Sequence, residues 1–200
     1  GSGRRLREII DEPTANLACI VVNAGGTTGK LYTSYDRRFQ NVTSEFNSHL
    51  AVHYDQMCAT NTNFHAVIHG QPPHLTYLNH IPRYQDEQYL NTHLLRWQPE
   101  TIINLPEGIG FIPFQVPSSP ELMAGNIASL RKHRIVVWAK HGVMARSDIS
   151  IKRAADRVEY AETAAKYEYL NLSVGEIGTG LSTDEIRAIC ATFDIKQNIF

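Results

Sequence analysis

The chain has 200 residues with a formal net charge of −1, and charged side chains make up 20% of it. This length predicts one domain that can bury a single sizeable core. The near-neutral charge argues against a nucleic-acid partner that binds through bulk positive charge. No apolar run approaches the ~20 residues that span a bilayer, and no signal segment opens the chain, so we expect no membrane association. The cysteines are odd in number and widely spaced, which indicates free thiols in a reducing cytoplasm: Cys19, Cys58 and Cys190.

The first part of the chain predicts a β-hairpin and then an amphipathic helix. A β-branched run at 17–23 and an alternating segment at 30–35 flank a glycine turn, which is the pattern of two paired strands. Ser44 is suited to cap a helix, because its hydroxyl can accept a hydrogen bond from the first turn. Glu45 then falls in that first turn, where the helix dipole favours any carboxylate. The predicted buried stripe of this helix consists of Phe46, Leu50, Tyr54 and Met57.

The rest of the chain predicts short strands that alternate with helices. Three apolar segments predict buried strands, at 65–69, 101–105 and 134–138. Four further helices are predicted, at 75–80, from the Ser119 cap to Leu130, over 149–172, and from the Ser182 capping box to about Phe193. This order predicts an α/β fold with a mixed sheet and helices on its faces.

Two histidines follow apolar strands in the same sequence context. His69 and His141 each end a predicted strand, and each is followed by glycine. Strand ends are where α/β folds bind ligands, and imidazole is a common zinc ligand, although a lone histidine there is more often structural. A catalytic zinc needs about three protein ligands, and the residues alone leave the third open among Gln71, His74 and Glu45. Gln71 is the weakest zinc donor of these, because its oxygen belongs to a neutral amide.

An ordered set of motifs resembles the class II metal-dependent aldolases. The motifs are TSE at 43–45, VIH at 67–69, PEGIGFIPFQVP at 106–117 and KHGVMARS at 140–147, in the family's order and at similar spacing. The segment GSGRRLREI at 1–9 is also similar to the family's GSG segment followed by a basic stretch, which favours a genuine glycine-rich turn over a cloning remnant. The resemblance covers nearly the whole chain and implies a single class II aldolase-like domain over residues 1–200. It further implies a mixed, mostly antiparallel central sheet and a cytoplasmic homotetramer with sites between subunits.

The resemblance implies a lyase with one zinc ion per chain and a sugar-phosphate substrate. Within the family the chain is most similar to enzymes that cleave L-rhamnulose 1-phosphate reversibly to dihydroxyacetone phosphate and L-lactaldehyde, through a metal-stabilised enediolate. By this resemblance His69 and His141 hold the zinc, and Glu45 moves the proton at the carbon next to the carbonyl. Glu100 matches a second carboxylate near the metal. The substrate phosphate would be held by Ser2, Gly3 and Ser44.

The chain departs from the family pattern in two places. The family's His-x-His motif becomes His69-Gly-Gln71, so Gln71, His74 or a water takes the third metal position, which lowers zinc affinity or changes metal preference. Family members also carry an N-terminal part before the GSG segment, with an Asn/Gly-rich loop that helps bind phosphate. We therefore expect this chain to be the C-terminal portion of such an enzyme. Alone, without the missing N-terminal segment, it would lack part of the phosphate site and expose some core surface.

Three alternative functions remain open at this point. A related aldolase would act on fuculose or ribulose phosphate. An epimerase of pentulose phosphates would share the metal and differ in its acid/base residues. A non-catalytic relative would bind a sugar phosphate or only assemble with a partner, and the missing second histidine favours it. Metal content tests the non-catalytic reading, and an aldehyde product separates cleavage from epimerisation.

Overall fold

The computed structural model of the protein describes residues 3–200, and Gly1 and Ser2 lie outside the described residues. The chain divides into two compact units, Gly1–Asn47 and Ser48–Phe200. The single domain predicted over residues 1–200 stays a prediction. Within residues 3–200, no helix has both the length and the apolar character needed to cross a membrane.

The first unit contains two short helices and a hairpin. The helices are α1 (Glu8–Asp11) and α2 (Pro13–Asn16), and the hairpin strands are β1 (Ala18–Val22) and β2 (Gly29–Thr33). The strands pair antiparallel, which confirms the predicted hairpin. The buried Asn16 side chain connects the two helices, because its amide donates to the carbonyls of Glu8 and Glu12 at 3.0 and 2.8 Å.

The second unit is built on a four-stranded sheet. Its strands are β3 (Ala66–Gly70), β4 (Gly110–Ile112), β5 (Ile135–Trp138) and β6 (Gly142–Ser147), in the order β3-β6-β5-β4. Strand β6 is antiparallel to β3 and to β5, whereas β4 is parallel to β5. The sheet is therefore mixed and mostly antiparallel, as predicted.

Helices cover both faces of this sheet. They are α3 (Phe46–Thr60), α4 (Pro73–Leu78), α5 (Glu87–Leu94), α6 (Pro99–Asn104), α7 (Pro120–Leu130), α8 (Ile151–Ser173) and α9 (Thr183–Thr192). Because side chains alternate along a strand, β5 sends Ile135 and Val137 into the cluster with α4, α5, α8 and α9. Val136 and Trp138 point the other way, into the cluster with α3 and α7. The central strands are thus buried on both sides, which fixes their register.

The helix ends follow the predicted capping chemistry. The Ser119 hydroxyl accepts from the Leu122 amide at 3.1 Å, with Pro120 as the first helical residue. Ser182 and Glu185 form the predicted capping box of α9. Helix α8 begins at Ile151 after a Ser150 cap, close to the predicted start at 149.

Two predictions about the elements are wrong. Residues 101–105 were predicted as a strand, but α6 occupies Pro99–Asn104, because Pro99 is suited to the first helical turn and the Thr101 hydroxyl bonds to the carbonyls of Leu95 and Gln98. The predicted stripe of α3 is also wrong, since Tyr54 is exposed and the buried side chains are Ser48, Val52 and Gln56. Helix α3 begins one residue later than predicted, so Glu45 directly precedes it. Strands β4 and β6 and helix α5 were not predicted.

Gly142 lets the start of β6 approach the end of β3. A Cβ atom on Gly142 would lie 2.5 Å from the Gly70 carbonyl oxygen and 3.2 Å from Gln71 Cγ. A Cβ atom on Gly70 would meet nothing within 4 Å. The glycine at 142 is therefore required by a close backbone approach, whereas the glycine at 70 is not.

We expect Gly142→Ala to lower the free energy of unfolding by about 1–3 kcal/mol, because the added methyl group must push two paired strands apart. The matched variant Gly70→Ala should change it by less than about 1 kcal/mol. Urea unfolding of both variants followed by circular dichroism measures the difference. Equal effects of the two substitutions would contradict this account of the strand contact.

Candidate functional site

Pairing between β3 and β6 sets the orientation of the His69 ring. His69 lies opposite Met144 in the ladder, and its Nδ1 lies 2.8 Å from the carbonyl oxygen of Val143. A carbonyl oxygen only accepts hydrogen bonds, so Nδ1 carries the hydrogen and the neutral ring keeps its lone pair on Nε2. This is the arrangement in which a histidine can donate Nε2 to a metal ion.

The turn between β5 and β6 brings His141 beside His69. The His141 amide donates to the Trp138 carbonyl at 3.0 Å, and Lys140 takes a positive φ of 61° in the turn. The two imidazole rings lie 5.3 Å apart between centroids. The structure therefore brings together the two strand-end histidines that the sequence singled out.

Trp138 packs against both rings. Its indole stacks on His69 with centroids 4.4 Å apart and an interplanar angle of 22°, and it lies 5.0 Å from the His141 ring. Its Nε1 donates to Asn126 Oδ1 of α7 at 2.7 Å, and both side chains are buried. Trp138 thus restricts the plane of the His69 ring and keeps water from one of its faces.

The donor atoms fit a divalent cation held by two imidazoles. His141 Nδ1 is buried and has no hydrogen-bond partner among residues 3–200. An unpaired buried nitrogen is costly unless something binds it, and the lone pair of a neighbouring imidazole makes a cation a suitable occupant. Within residues 3–200, however, no three or more His, Cys, Asp and Glu side chains are grouped to hold a metal ion. The identity of the ligand in the third position therefore stays a prediction.

Gln71 and His74, the two candidates for that third position, have different surroundings. The side-chain amide of the exposed Gln71 donates a hydrogen bond from its Nε2 to His69 Nε2 at 3.0 Å. The amide therefore contacts the nitrogen through which His69 is expected to bind the metal. His74 directs Nδ1 to Glu162 Oε1 at 2.7 Å, and Glu162 also accepts from the backbone amides of His74 and Leu75. Of the two candidates, Gln71 is therefore the one in contact with His69. The assignment of either as a ligand stays a prediction.

The other predicted site residues lie on other elements. Glu100 is exposed in the first turn of α6, which packs against α8 and α9. In the first unit, Glu45 is only 2% exposed, Ser44 is exposed, and Gly3 adopts a positive φ of 73°. Ser2 lies outside the described residues. The roles predicted for these residues stay predictions.

Three residues near the imidazole pair were not among the predicted site residues: Trp138, Asn126 and His49. Burial, and then the neighbouring charges of His69 and His53, lower the pKa of His49 to about 4. The sequence carried a signal only for Trp138, which precedes His141 by three residues across a predicted turn. Asn126 and His49 reach the site through tertiary packing, which the sequence pattern does not display.

A second histidine pair joins α3 to β3. His53 Nδ1 and His65 Nδ1 lie 3.0 Å apart, and the rings meet edge to face. One nitrogen must donate and the other accept, so the contact requires that at least one ring be neutral. Burial is the largest cause that lowers the pKa of both rings. For His65 the charges of His53 and Arg146 add to burial and bring the pKa to about 4, with Asp148 acting in the opposite direction. This pair is a packing contact that depends on pH.

A surface pocket of about 350 Å³ lies between β4, α7 and Glu87 of α5. His133 lines it and directs Nδ1 to the Glu107 carbonyl at 2.9 Å, with Nε2 3.5 Å from Glu87. None of the predicted site residues lines this pocket.

Comparisons with known proteins agree on one family. Residues 12–169 match the family described as class II aldolase and adducin N-terminal domain. A rhamnulose-1-phosphate aldolase of Bacteroides thetaiotaomicron is 30% identical over 155 residues, which are 78% of this chain and 57% of that protein. A rhamnulose-1-phosphate aldolase of Enterobacter sp. is 25% identical over 195 residues, which are 98% of this chain and 70% of that protein. The chain thus spans little more than half the length of the first relative.

Solved structures show the same fold. A sugar-phosphate aldolase from Thermotoga maritima superposes with a TM-score of 0.74 at 29% identity, over 90% of this chain and 73% of that chain. An L-fuculose 1-phosphate aldolase superposes with a TM-score of 0.60 at 19% identity, over 88% of this chain and 72% of that chain. The second similarity shows the fold alone. Together they confirm the predicted class II aldolase-like fold.

We expect purified protein to hold one divalent cation per chain, and we expect His69→Ala and His141→Ala each to lose it, because each removes one of two imidazole ligands. The matched control His80→Ala removes an exposed histidine and should keep the metal. Gln71→His should bind zinc more tightly than wild type, since an imidazole replaces a neutral amide. Elemental analysis and zinc titration measure these changes. Wild-type protein without stoichiometric metal would refute the imidazole site.

We expect the protein to lose stability as the pH falls from about 6.5 towards 4. The folded-state pKa of His65, about 4, lies below its value of 6.5 in a free chain, so the unfolded chain binds this proton more readily. The contribution is on the order of 1 kcal/mol after allowance for solvent screening. Urea midpoints at pH 7, 5.5 and 4.5 measure it. His65→Gln should flatten this pH dependence, and a dependence as steep as that of wild type would contradict the assignment.

Proposed function

Because the chain belongs to the class II aldolase and adducin family, we propose that it is a metal-dependent lyase that cleaves a ketose 1-phosphate. The substrate in this proposal is L-rhamnulose 1-phosphate, and the products are dihydroxyacetone phosphate and L-lactaldehyde. Relatives named rhamnulose-1-phosphate aldolase, at 25–30% identity, support this choice. The observation that carries the proposal is the pair of adjacent imidazoles, with His69 Nε2 and the buried His141 Nδ1 as donors.

His69 and His141 would hold the cation, zinc in this proposal, with Gln71, His74 or a water in the third position. When bound, the cation polarises the substrate carbonyl and stabilises the negative charge that develops as the carbon–carbon bond breaks. The Val143 carbonyl keeps the hydrogen of His69 on Nδ1 and so makes Nε2 a better donor. Trp138 holds the ring plane by stacking.

The carboxylates and the phosphate-binding groups complete the proposed mechanism. In the cleavage direction Glu45 gives a proton to the carbon next to the carbonyl, while the proton released by the hydroxyl that becomes the aldehyde passes to water. In the reverse direction Glu45 removes the proton from that carbon, and its burial shields the transfer from bulk water. Glu100 acts as the second carboxylate near the metal. The substrate phosphate is bound by hydroxyl and backbone groups of Ser2, Gly3 and Ser44. In this proposal the protein works as a cytoplasmic homotetramer.

A non-catalytic relative is the second candidate function. The observation that favours it is the absence, within residues 3–200, of three clustered His, Cys, Asp or Glu side chains able to hold a metal. Such a protein would bind a sugar phosphate or assemble with a partner without cleaving its ligand. It would also contain no stoichiometric metal, which separates it from the lyase by a measurement that does not need the substrate.

We expect metal-loaded protein to release dihydroxyacetone phosphate and an aldehyde from L-rhamnulose 1-phosphate, and Glu45→Gln to lower kcat by about 10²–10⁴-fold, because the amide cannot transfer the proton. The control Glu159→Gln removes an exposed carboxylate of α8 and should keep full activity. A coupled assay for dihydroxyacetone phosphate and chromatography of the sugar products measure the outcome.

Each other result of this assay points to another function. A ketopentose phosphate that is converted to its epimer without any aldehyde would indicate the epimerase. Metal-loaded protein that binds the sugar phosphate but yields no product would indicate the non-catalytic relative. Equal activity of Glu45→Gln and wild type would remove Glu45 from the mechanism.

A further inference from the structure

Four arginines gather at the end of the sheet that lies away from His141. Arg134 directly precedes β5, and its carbonyl accepts from the Arg146 amide of β6 at 2.9 Å. Arg157 of α8 donates through Nη1 to the Arg146 carbonyl. Arg153 lies one turn earlier on α8 and donates to Asn104 Oδ1 at 3.1 Å. Since β5 begins directly after Arg134 and leads to His141, the arginines and the imidazoles lie at opposite ends of this strand.

Arg157 is buried, and its guanidinium has fewer hydrogen-bond acceptors than it has N–H groups. It is 4% exposed, and its Nε is buried with no hydrogen-bond partner among residues 3–200. Burial, followed by the neighbouring charge of Arg134, lowers the pKa of Arg157 to about 10, although Glu107 acts in the opposite direction. A buried guanidinium needs both a counter-charge and acceptors for its N–H groups, and the protein supplies few of them here.

The carboxylates near these arginines do not balance their charge. Glu107 lies 3.4 Å from Arg134 Nε, and Asp148 is close enough to act on the charge of Arg146. Asp55 also acts on Arg146, but it is already paired with Arg131 at 2.5 Å. The Arg146 guanidinium is turned away from α8, since its Nε donates to the Leu130 carbonyl of α7 at 2.7 Å. The remaining three cationic side chains, Arg134, Arg153 and Arg157, therefore face the single carboxylate of Glu107. The excess of two positive charges matches a phosphate dianion.

We propose that Arg134, Arg153 and Arg157 form a binding site for a phosphate group, either inorganic phosphate or a phosphate monoester. The planar guanidinium fork pairs with phosphate oxygens through two parallel hydrogen bonds, which a spherical anion such as chloride cannot accept. Arg134 and Arg153 are exposed, so the ligand would approach from their side, whereas Arg157 is buried and has the unpaired Nε. The site belongs to the second unit and shares no residue with the phosphate-binding residues Ser2, Gly3 and Ser44. It therefore does not rest on the proposed lyase function.

Calorimetric titration of the whole protein with inorganic phosphate, at fixed ionic strength in chloride, tests the site. We expect wild type to bind and Arg134→Ala/Arg153→Ala to lose affinity by about tenfold or more, because charge-assisted hydrogen bonds are strong. The control Arg187→Ala removes an exposed arginine that pairs with Asp184 on α9, and it should bind as wild type does. No binding by wild type, or full binding by the double variant, would overturn the proposal.

Thermal unfolding gives a second readout that a purely structural role would not produce. Because the arginines repel one another, Arg134→Ala/Arg153→Ala should be at least as stable as wild type in phosphate-free buffer and should gain less from added phosphate. Equal gains in the two proteins would contradict the site. Titration with glycerol 1-phosphate identifies the source of the phosphate group: tighter binding than inorganic phosphate assigns the site to a monoester, and weaker binding to free phosphate. Acetate that binds as tightly as either would overturn the phosphate assignment.

Discussion

The hydrogen bond from His69 Nδ1 to the Val143 carbonyl connects the architecture of the sheet to the chemistry of the site. The bond exists because β3 and β6 pair in one register, with His69 opposite Met144 and Gly70 opposite Val143. A shift of the register by one residue would turn His69 to the other face of the sheet and leave the carbonyl without it. The alternation of buried side chains on both faces prevents such a shift, so the apolar core determines which imidazole nitrogen carries a lone pair.

The short central strands separate two regions of opposite character. At one end of β5 the imidazoles of His69 and His141 present ring nitrogens suited to a cation, and at the other end the arginines carry an excess of positive charge. Between them lie four buried residues, Ile135–Trp138, whose only polar side-chain group, Trp138 Nε1, is hydrogen-bonded to Asn126. A rigid, closely packed strand can separate a proposed cation site from a proposed anion site in this way, because neither ion can pass through the core to the other site.

Local sequence patterns predicted those helices and strands whose residue pattern lies within the element itself or at its cap. The β-branched runs gave β1, β3 and β5, and the serine caps gave α7 and α9, because these signals lie within a few residues of one another. The strand predicted at 101–105 was wrong because the apolar residues of this segment suit a strand or a helix equally. Pro99 and the hydrogen bond of the Thr101 hydroxyl favour the helix. The prediction of the buried face of α3 was wrong for a different reason. Gln56 is buried because its amide reaches the Leu130 carbonyl at 3.5 Å, a contact 74 residues away in sequence.

In the candidate site, too, the sequence predicted the features that depend on neighbouring residues and not those that depend on contacts between distant segments. The strand-end context was enough to select His69 and His141, whereas the Trp138 stack and the Glu162 partner of His74 depend on packing between distant segments. The sequence also shows that Gln71 stands where the family motif has a histidine. The distance of 3.0 Å between its amide nitrogen and His69 Nε2 is known only from the structure. In that position the amide nitrogen donates to the lone pair that a cation would need. A half-turn of the amide presents its oxygen instead, so the glutamine competes with the cation in one orientation and can bind it in the other. We therefore expect Gln71 to weaken cation binding at the proposed site, while the pair of imidazoles stays in place.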